Sequence, residues 1–145
     1  MKILKIKNDE ISQIRTMWEA LNKLHGKFST YFQKHFMSFT FDARLKQFEK
    51  KETFSVFVAE DNSKYVGYCI ASVEKQVGEI DSIYVDPQNQ KRKVGESLIV
   101  AAESWLQSKD VIKIHISVAE GNESAFGFYN KQGYYQRYTV LEKKA

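Results

Sequence analysis

The chain holds 145 residues, 43% of them hydrophobic and 28% charged, with a formal net charge of +4. That length suits one domain over residues 1–145 with a core of its own, and the composition is that of an ordinary soluble globular protein. One cysteine, Cys69, excludes an internal disulfide and removes the case for a structural zinc site, so no metal is expected.

Met1–Lys7 is too short and too interrupted by lysine for a signal peptide. No apolar stretch approaches the roughly 20 residues that a bilayer span needs. A cytoplasmic protein without a membrane partner is the expectation. Charges alternate in sign along most of the chain, so the basic excess favours phosphate-bearing ligands without requiring nucleic acid.

Ile3–Ile6 is predicted as the first strand. Asn8 or Asp9 then offers an N-cap, and Ile11, Ile14, Trp18, Leu21 and Leu24 recur on one helix face until Gly26 ends the pattern. The stretch from Phe28 to Phe39 is aromatic without a clean period and reads as a helix fragment plus loop. Ala43–Lys51 is a second short helix. Phe54–Glu60 and Tyr65–Lys75 are β-rich runs joined by Asp61–Lys64, and Glu79–Val85 follows a turn at Gln76–Gly78.

Asp86-Pro87 stops that strand. After the polar, basic stretch Gln88–Lys93 a helix carries Leu98, Ile99, Ala102, Trp105 and Leu106 on one face, and Ile114, Ile116 and Val118 alternate as a strand. Ser124–Gln132 is predicted helical, with Gly133 in the left-handed conformation just beyond its end. Tyr134–Leu141 is predicted as the last strand. The strand–helix–strand unit from Glu79 to Val118 implies a parallel crossover, so the sheet is mixed and the fold class is α/β.

The turn Gln90–Gly95 sits between a strand and a helix N-terminus, where unpaired N–H groups and the helix dipole attract phosphate. Gly95 lets a ligand approach the backbone, and Lys91, Arg92 and Lys93 add positive charge. The same residues also fit a solvated basic loop with a packing glycine, because one glycine is weak grounds for a site.

Ile80–Pro87 followed by Gln90-Lys91-Arg92-Lys93-Val94-Gly95 resembles the acetyl-CoA signature of the GCN5-related N-acetyltransferases (GNAT), in which Arg or Gln is followed by Gly-x-Gly/Ala after two residues. Gln90 and Gly95 match, whereas Lys93 stands where the first glycine is expected. Asn122, Ala125, Phe128-Tyr129 and Gly133-Tyr134 resemble the family's second signature, and two signatures in order are more specific than one. The resemblance covers roughly residues 65–141. It implies a mostly antiparallel sheet flanked by helices with a central parallel strand pair, and acetyl-CoA as the acetyl donor to a primary amine acceptor. A monomer or homodimer is expected.

Acetyl transfer from a thioester to an amine needs a base for the ammonium, a donor for the oxyanion and an acid for the departing thiolate. The resemblance implies Glu79 as base, with Asp81, two residues along the same strand, as the alternative. Both also fit structural carboxylates at a strand end. It implies that main-chain groups of Ile83, Tyr84 and Val85 lie along the pantetheine arm, with Gln90, Lys91, Arg92, Lys93, Val94, Gly95 and Glu96 at the phosphates. Tyr129 matches the family's general acid, and Asn122 serves the pantetheine amide, an N-cap, or both. The acceptor is expected beside Phe28, Tyr31, Phe32, His35, Phe36 and Phe39, most of which also fit core packing. His25, His35 and His115 lack metal-ligand spacing. Two other classes remain open: a non-catalytic acyl-CoA-binding or effector-binding module, and a small basic RNA-binding domain, against which the dispersed positive residues argue.

Overall fold

The computed structural model describes residues 1–144, with Lys91 described by its backbone alone. After β1 (Lys2–Ile6), a 3-10 turn at Asn8–Ile14 leads into α1 (Arg15–Phe28). Ile11, Ile14 and Trp18 are buried, as their spacing predicts. Gly26 does not stop the helix. It is buried against α2 (Gln33–Ser38), where a Cβ would lie 3.4 Å from the Phe36 Cβ, in ordinary contact. Thr40 then caps α3 (Phe41–Glu49), its hydroxyl accepting from the Ala43 N–H at 3.1 Å.

Strands β2 (Thr53–Asp61), β3 (Lys64–Glu74) and β4 (Val77–Val85) form an antiparallel meander. Helix α4 (Val94–Ser108) crosses over to β5 (Lys113–Ile116), which pairs parallel with β4, and α5 (Phe126–Lys131) follows. The sheet order is β1-β2-β3-β4-β5. On one face Ile14, Trp18, Phe41, Phe48 and Tyr68 pack under α1 and α3, and on the other Val94, Leu98, Ile99 and Leu106 of α4 meet Phe57, Ala71 and Ile80. Strand β3 is covered on both faces, which accounts for its nearly unbroken apolar run from Val66 to Val73.

The β3–β4 register shifts by one residue: Ser82 lies opposite Ile70 but Ile80 lies opposite Ala71, which leaves Asp81 as the extra residue of a β-bulge. The bulge resets the alternation of faces. Below it, Gly78 and Ile80 face α4, where a Cβ on Gly78 would meet Leu106 at 2.9 Å. Above it, Ser82 bonds the Tyr68 hydroxyl at 2.7 Å and Tyr84 joins the α1 side, while Ile83 and Val85 pack toward α4.

The final predicted strand, Tyr134–Leu141, does not form; among the described residues this segment has no ladder pairing. Its start is anchored, since the Tyr134 hydroxyl donates to Glu103 of α4 at 2.6 Å, and Gly133 takes φ +92° as expected of a residue just past a helix. Beyond it the Tyr138 ring meets His115 of β5 edge-on at 6.5 Å, yet Tyr135, Val140 and Leu141 are exposed. Period-two alternation signals a segment suited to half burial, but it does not supply a partner edge.

The loop after β5 is clamped to the end of α1. Glu120 accepts from the Ser29 hydroxyl at 2.6 Å and from the Thr30 and Tyr31 N–H groups at 2.8 and 3.1 Å. Those bonds hold its carboxyl below the usual range. Next to it Gly121 has φ +97°, and a Cβ there would clash with the Phe28 carbonyl group. Gly121→Ala is therefore expected to cost about 2 kcal/mol or more, through both the clash and the left-handed backbone. The urea midpoint measures this, and an unchanged midpoint would mean the loop does not sit against α1 in solution.

Candidate functional site

Pairing of β4 with β5 runs from Val77–Lys113 to Ile80–Ile116 and stops there. Strand β4 continues to Val85 bonded to β3, so on the β5 side the main chain from Asp81 onward has no strand partner among the described residues. A cleft of about 340 Å³ leads from this split toward α1 and α2. It brings together Glu79, Asp81, Ile83, Asn122 and Tyr129, and its outer wall is built from Trp18, Phe36, His35 and Phe39. Phe28 and Tyr31, expected at the same place, are instead exposed at 56% and 60%. Tyr84 is buried on the α1 side and Val85 packs toward α4, so their side chains lie outside the cleft.

The two carboxylates differ in surroundings. Glu79 is partly exposed and faces Lys51 Nζ at 3.8 Å. Asp81, the bulge residue, is mostly buried, and burial pushes its pKa up to about 7; Glu79 adds to the rise, and Ser72, Arg44 and Lys51 offset part of it. Ser72 is near enough to ease the charge, yet neither its hydroxyl nor Asp81 Oδ2 completes a hydrogen bond among the described residues. A mostly buried carboxyl that lines a cleft with a raised pKa is a candidate for proton transfer there. Arg44 supports the same bulge from α3 by donating to the Asp81 carbonyl at 3.1 Å.

Tyr129, held by α5, has its hydroxyl pushed up to about 12, chiefly by burial, and so remains protonated at neutral pH. Asn122 precedes the short turn Glu123–Ala125 without capping it through its side chain, which leaves its amide for other partners. The N-cap role open from the sequence is thus not realised by that side chain.

At the other end of β4, the 3-10 turn Pro87–Arg92 leads into α4, whose first turn carries Val94, Gly95 and Glu96 with no side-chain cap at Lys93. The N–H groups of that turn are the orphan donors that accept anions. Lys93 takes φ +59°, ψ 25°, the left-handed conformation that the expected glycine would adopt without strain. Gly95 has a packing role: a Cβ there would lie 3.1 Å from the Phe128 ring. Gln90 donates to the Val85 carbonyl at 3.2 Å, and Arg92 is held by Asp61 at 2.7 Å. The Lys91 side chain lies outside the described residues.

Arg44, Ser72, Asp61 and Glu120 were not singled out by sequence, since each acts through a partner at least 9 positions away, beyond any local motif. The bulge likewise left no sequence signal.

A sheet that splits between parallel strands, with an uncapped helix end above and titratable side chains beside the split, defines an α/β protein with a cleft at the end of its parallel strand pair. The acetyltransferase (GNAT) family model matches residues 18–134, and the chain belongs to that family. It is 30% identical over 103 residues to an uncharacterised N-acetyltransferase of Methanocaldococcus jannaschii, covering 66% of this chain and 46% of that protein. It is 25% identical over 88 residues to the spermidine N(1)-acetyltransferase of Thermoplasma acidophilum, covering 57% and 55%. The matched stretches thus span about half the length of these relatives. Among solved structures, a Bacillus halodurans protein superposes with a TM-score of 0.79 at 18% identity over 99% of both chains. An aminoglycoside N-acetyltransferase in complex with CoA gives 0.72 at 15%, over 99% and 98%.

Two consequences are measurable. A carboxyl whose folded pKa lies above its unfolded value near ~3.9 adds stability below that value, and loses it as pH rises through about 7. Asp81→Asn is therefore expected to raise the melting temperature at pH 8 and to leave it nearly unchanged near pH 4. An equal effect at both pH values would mean that Asp81 titrates normally. Lys93→Gly removes the left-handed strain and should stabilise the fold by up to ~1 kcal/mol in urea titration, part of the gain being offset by the freer unfolded chain. A destabilised variant would show that the lysine contributes more than its backbone costs.

Proposed function

We propose that this protein transfers the acetyl group of acetyl-CoA to a primary amine, with the chemistry in the split between β4 and β5. One observation carries the reading: where the β4–β5 ladder ends, a mostly buried carboxyl of raised pKa and a protonated tyrosine line the same cleft. Family membership and the CoA held by the aminoglycoside N-acetyltransferase support acetyl-CoA as the acyl donor.

Asp81 is the base in this reading, ahead of Glu79. A pKa near 7 places it close to the operating pH, where a general base keeps an ionised form available and is a stronger base than an ordinary carboxylate toward the ammonium. Glu79, facing Lys51, shapes the local charge. The freed amine nitrogen attacks the thioester carbonyl, a C–N bond forms, and the C–S bond breaks. Main-chain groups of Ile83, Tyr84 and Val85 on the β5 side, released from strand pairing, face the developing oxyanion. Tyr129 gives its proton to the leaving sulfur and recovers one from the amide nitrogen as it loses its second proton. Asn122 offers its amide to the pantetheine arm. The first turn of α4, at Val94, Gly95 and Glu96, receives the pyrophosphate, with Lys93 and Arg92 adding charge and Gln90 holding the turn to β4. Arg92 serves this only in competition with Asp61.

Tyr129→Phe is expected to lower kcat by about 10²–10³ while leaving CoA affinity by calorimetry within twofold. Turnover at the unsubstituted rate would remove Tyr129 as the acid. The kcat/KM profile should fall on the acid side near pH 7, and Asp81→Asn should abolish that limb. CoA-dependent stabilisation with no turnover over a broad amine panel would favour a binding module instead.

A further inference from the structure

We propose that the acceptor is a primary monoamine with an aromatic or apolar body, and that the cleft discriminates against polycationic amines. This deepens the acetyl-transfer reading above and rests on it. It also sets the chain apart from what its relatives' names describe, since those include a spermidine and an aminoglycoside N-acetyltransferase.

The argument is a balance of charge. Among the described residues the cleft is lined by two carboxylates, Glu79 and Asp81, and both stand next to cations. Glu79 faces Lys51 at 3.8 Å, and the Arg44 guanidinium, itself lining the cleft, reaches the Asp81 carbonyl at 3.1 Å. A third carboxylate close by, Glu120, is already engaged by Ser29, Thr30 and Tyr31. One ammonium can therefore settle at the carboxylate pair of Glu79 and Asp81, but a second positive group along the same molecule would meet Arg44 in the cleft wall or Lys51 beside Glu79. His25, whose basicity burial lowers, adds no charge to change that balance.

The wall supplies the other half. Phe36 lies between the two histidines, with ring centroids 5.4 Å from His25 and 5.2 Å from His35. His35 stacks on Phe39 at 5.3 Å, and Phe39 meets Trp18 edge-on at 5.8 Å. These linked rings all line the cleft and suit an apolar body, and a volume of about 340 Å³ suits a compact one. A polyhydroxylated polycation would leave its hydroxyls unpaired against these rings.

The test compares phenethylamine, spermidine and a 2-deoxystreptamine aminoglycoside on the whole protein, by calorimetry with CoA present and by thiol release from acetyl-CoA. Phenethylamine is expected to bind at least tenfold more tightly than either polycation, and to be turned over with a correspondingly higher kcat/KM. Phe36→Ala should raise its KM about tenfold with the acetyl-CoA KM unmoved, and Phe36→Leu, which keeps apolar volume, should recover part of that loss. Equal or tighter binding of spermidine or the aminoglycoside, or failure of phenethylamine to bind, overturns the inference. Selective phenethylamine binding with no thiol release upholds the acceptor class and overturns acetyl transfer, so the two failures are distinguishable.

Discussion

The single extra residue in β4 governs the site. By placing Asp81 outside the regular β3–β4 register, the bulge turns β4 so that Ser82 and Tyr84 face α1 while Ile83 and Val85 face α4. The β4–β5 ladder ends at the residue just before it, and the main chain beyond is left without a neighbour on that side. Both the buried carboxylate and the opening beside it thus arise from one local irregularity. The irregularity is supported from elsewhere: Arg44 of α3 bonds the bulge carbonyl, and the Tyr68–Ser82 contact fixes the next residue. The cost of such a site is a carboxyl that is poorly solvated, which is the condition that moves its pKa toward neutrality.

The α4 end is organised on a different principle, in which residues suited to a ligand also serve the fold. Gly95 gives space to Phe128, Gln90 ties the turn to Val85, and Arg92 ties it to the β2–β3 hairpin through Asp61, whose carboxyl the guanidinium keeps acidic. These contacts hold the loop in place, and the uncapped N–H groups of the first turn are then presented in a fixed direction. Lys93 bears the conformational strain of that arrangement, since a side chain there does not prevent the left-handed backbone but makes it unfavourable.

Most of the element order was legible because burial and periodicity agree. Trp18 and Ile14 on α1, Leu98 and Leu106 on α4, and the continuous apolar run of β3 all occupy the faces their spacing implies. Two readings failed for a common reason. Gly26 looked like a helix stop and is a contact surface for α2, and Tyr134–Leu141 looked like a strand and has no partner edge. In each case the local pattern was compatible with more than one role, and a neighbour distant in sequence selected between them. The exposed Phe28 and Tyr31 belong to the same class, set apart from Phe36 and Phe39 by a clamp that Glu120 applies from the far side of the chain.

For the site, sequence alone named the family, the order of its two signatures, and the residue types able to accept and donate protons. Those features are local, being fixed by spacing along strands and helices. The resemblance put Glu79 ahead of Asp81 as base, but the two differ in burial and in the cations opposite each, Lys51 and Arg44, which arrive from other elements and leave no trace in a motif. Nor could sequence alone tell which aromatics wall the cleft, or that the Asn122 side chain does not cap the turn that follows it. Periodicity along one segment decides which face a residue occupies. Tertiary structure decides what stands across from that face, and the charge and solvation of a site depend on the second.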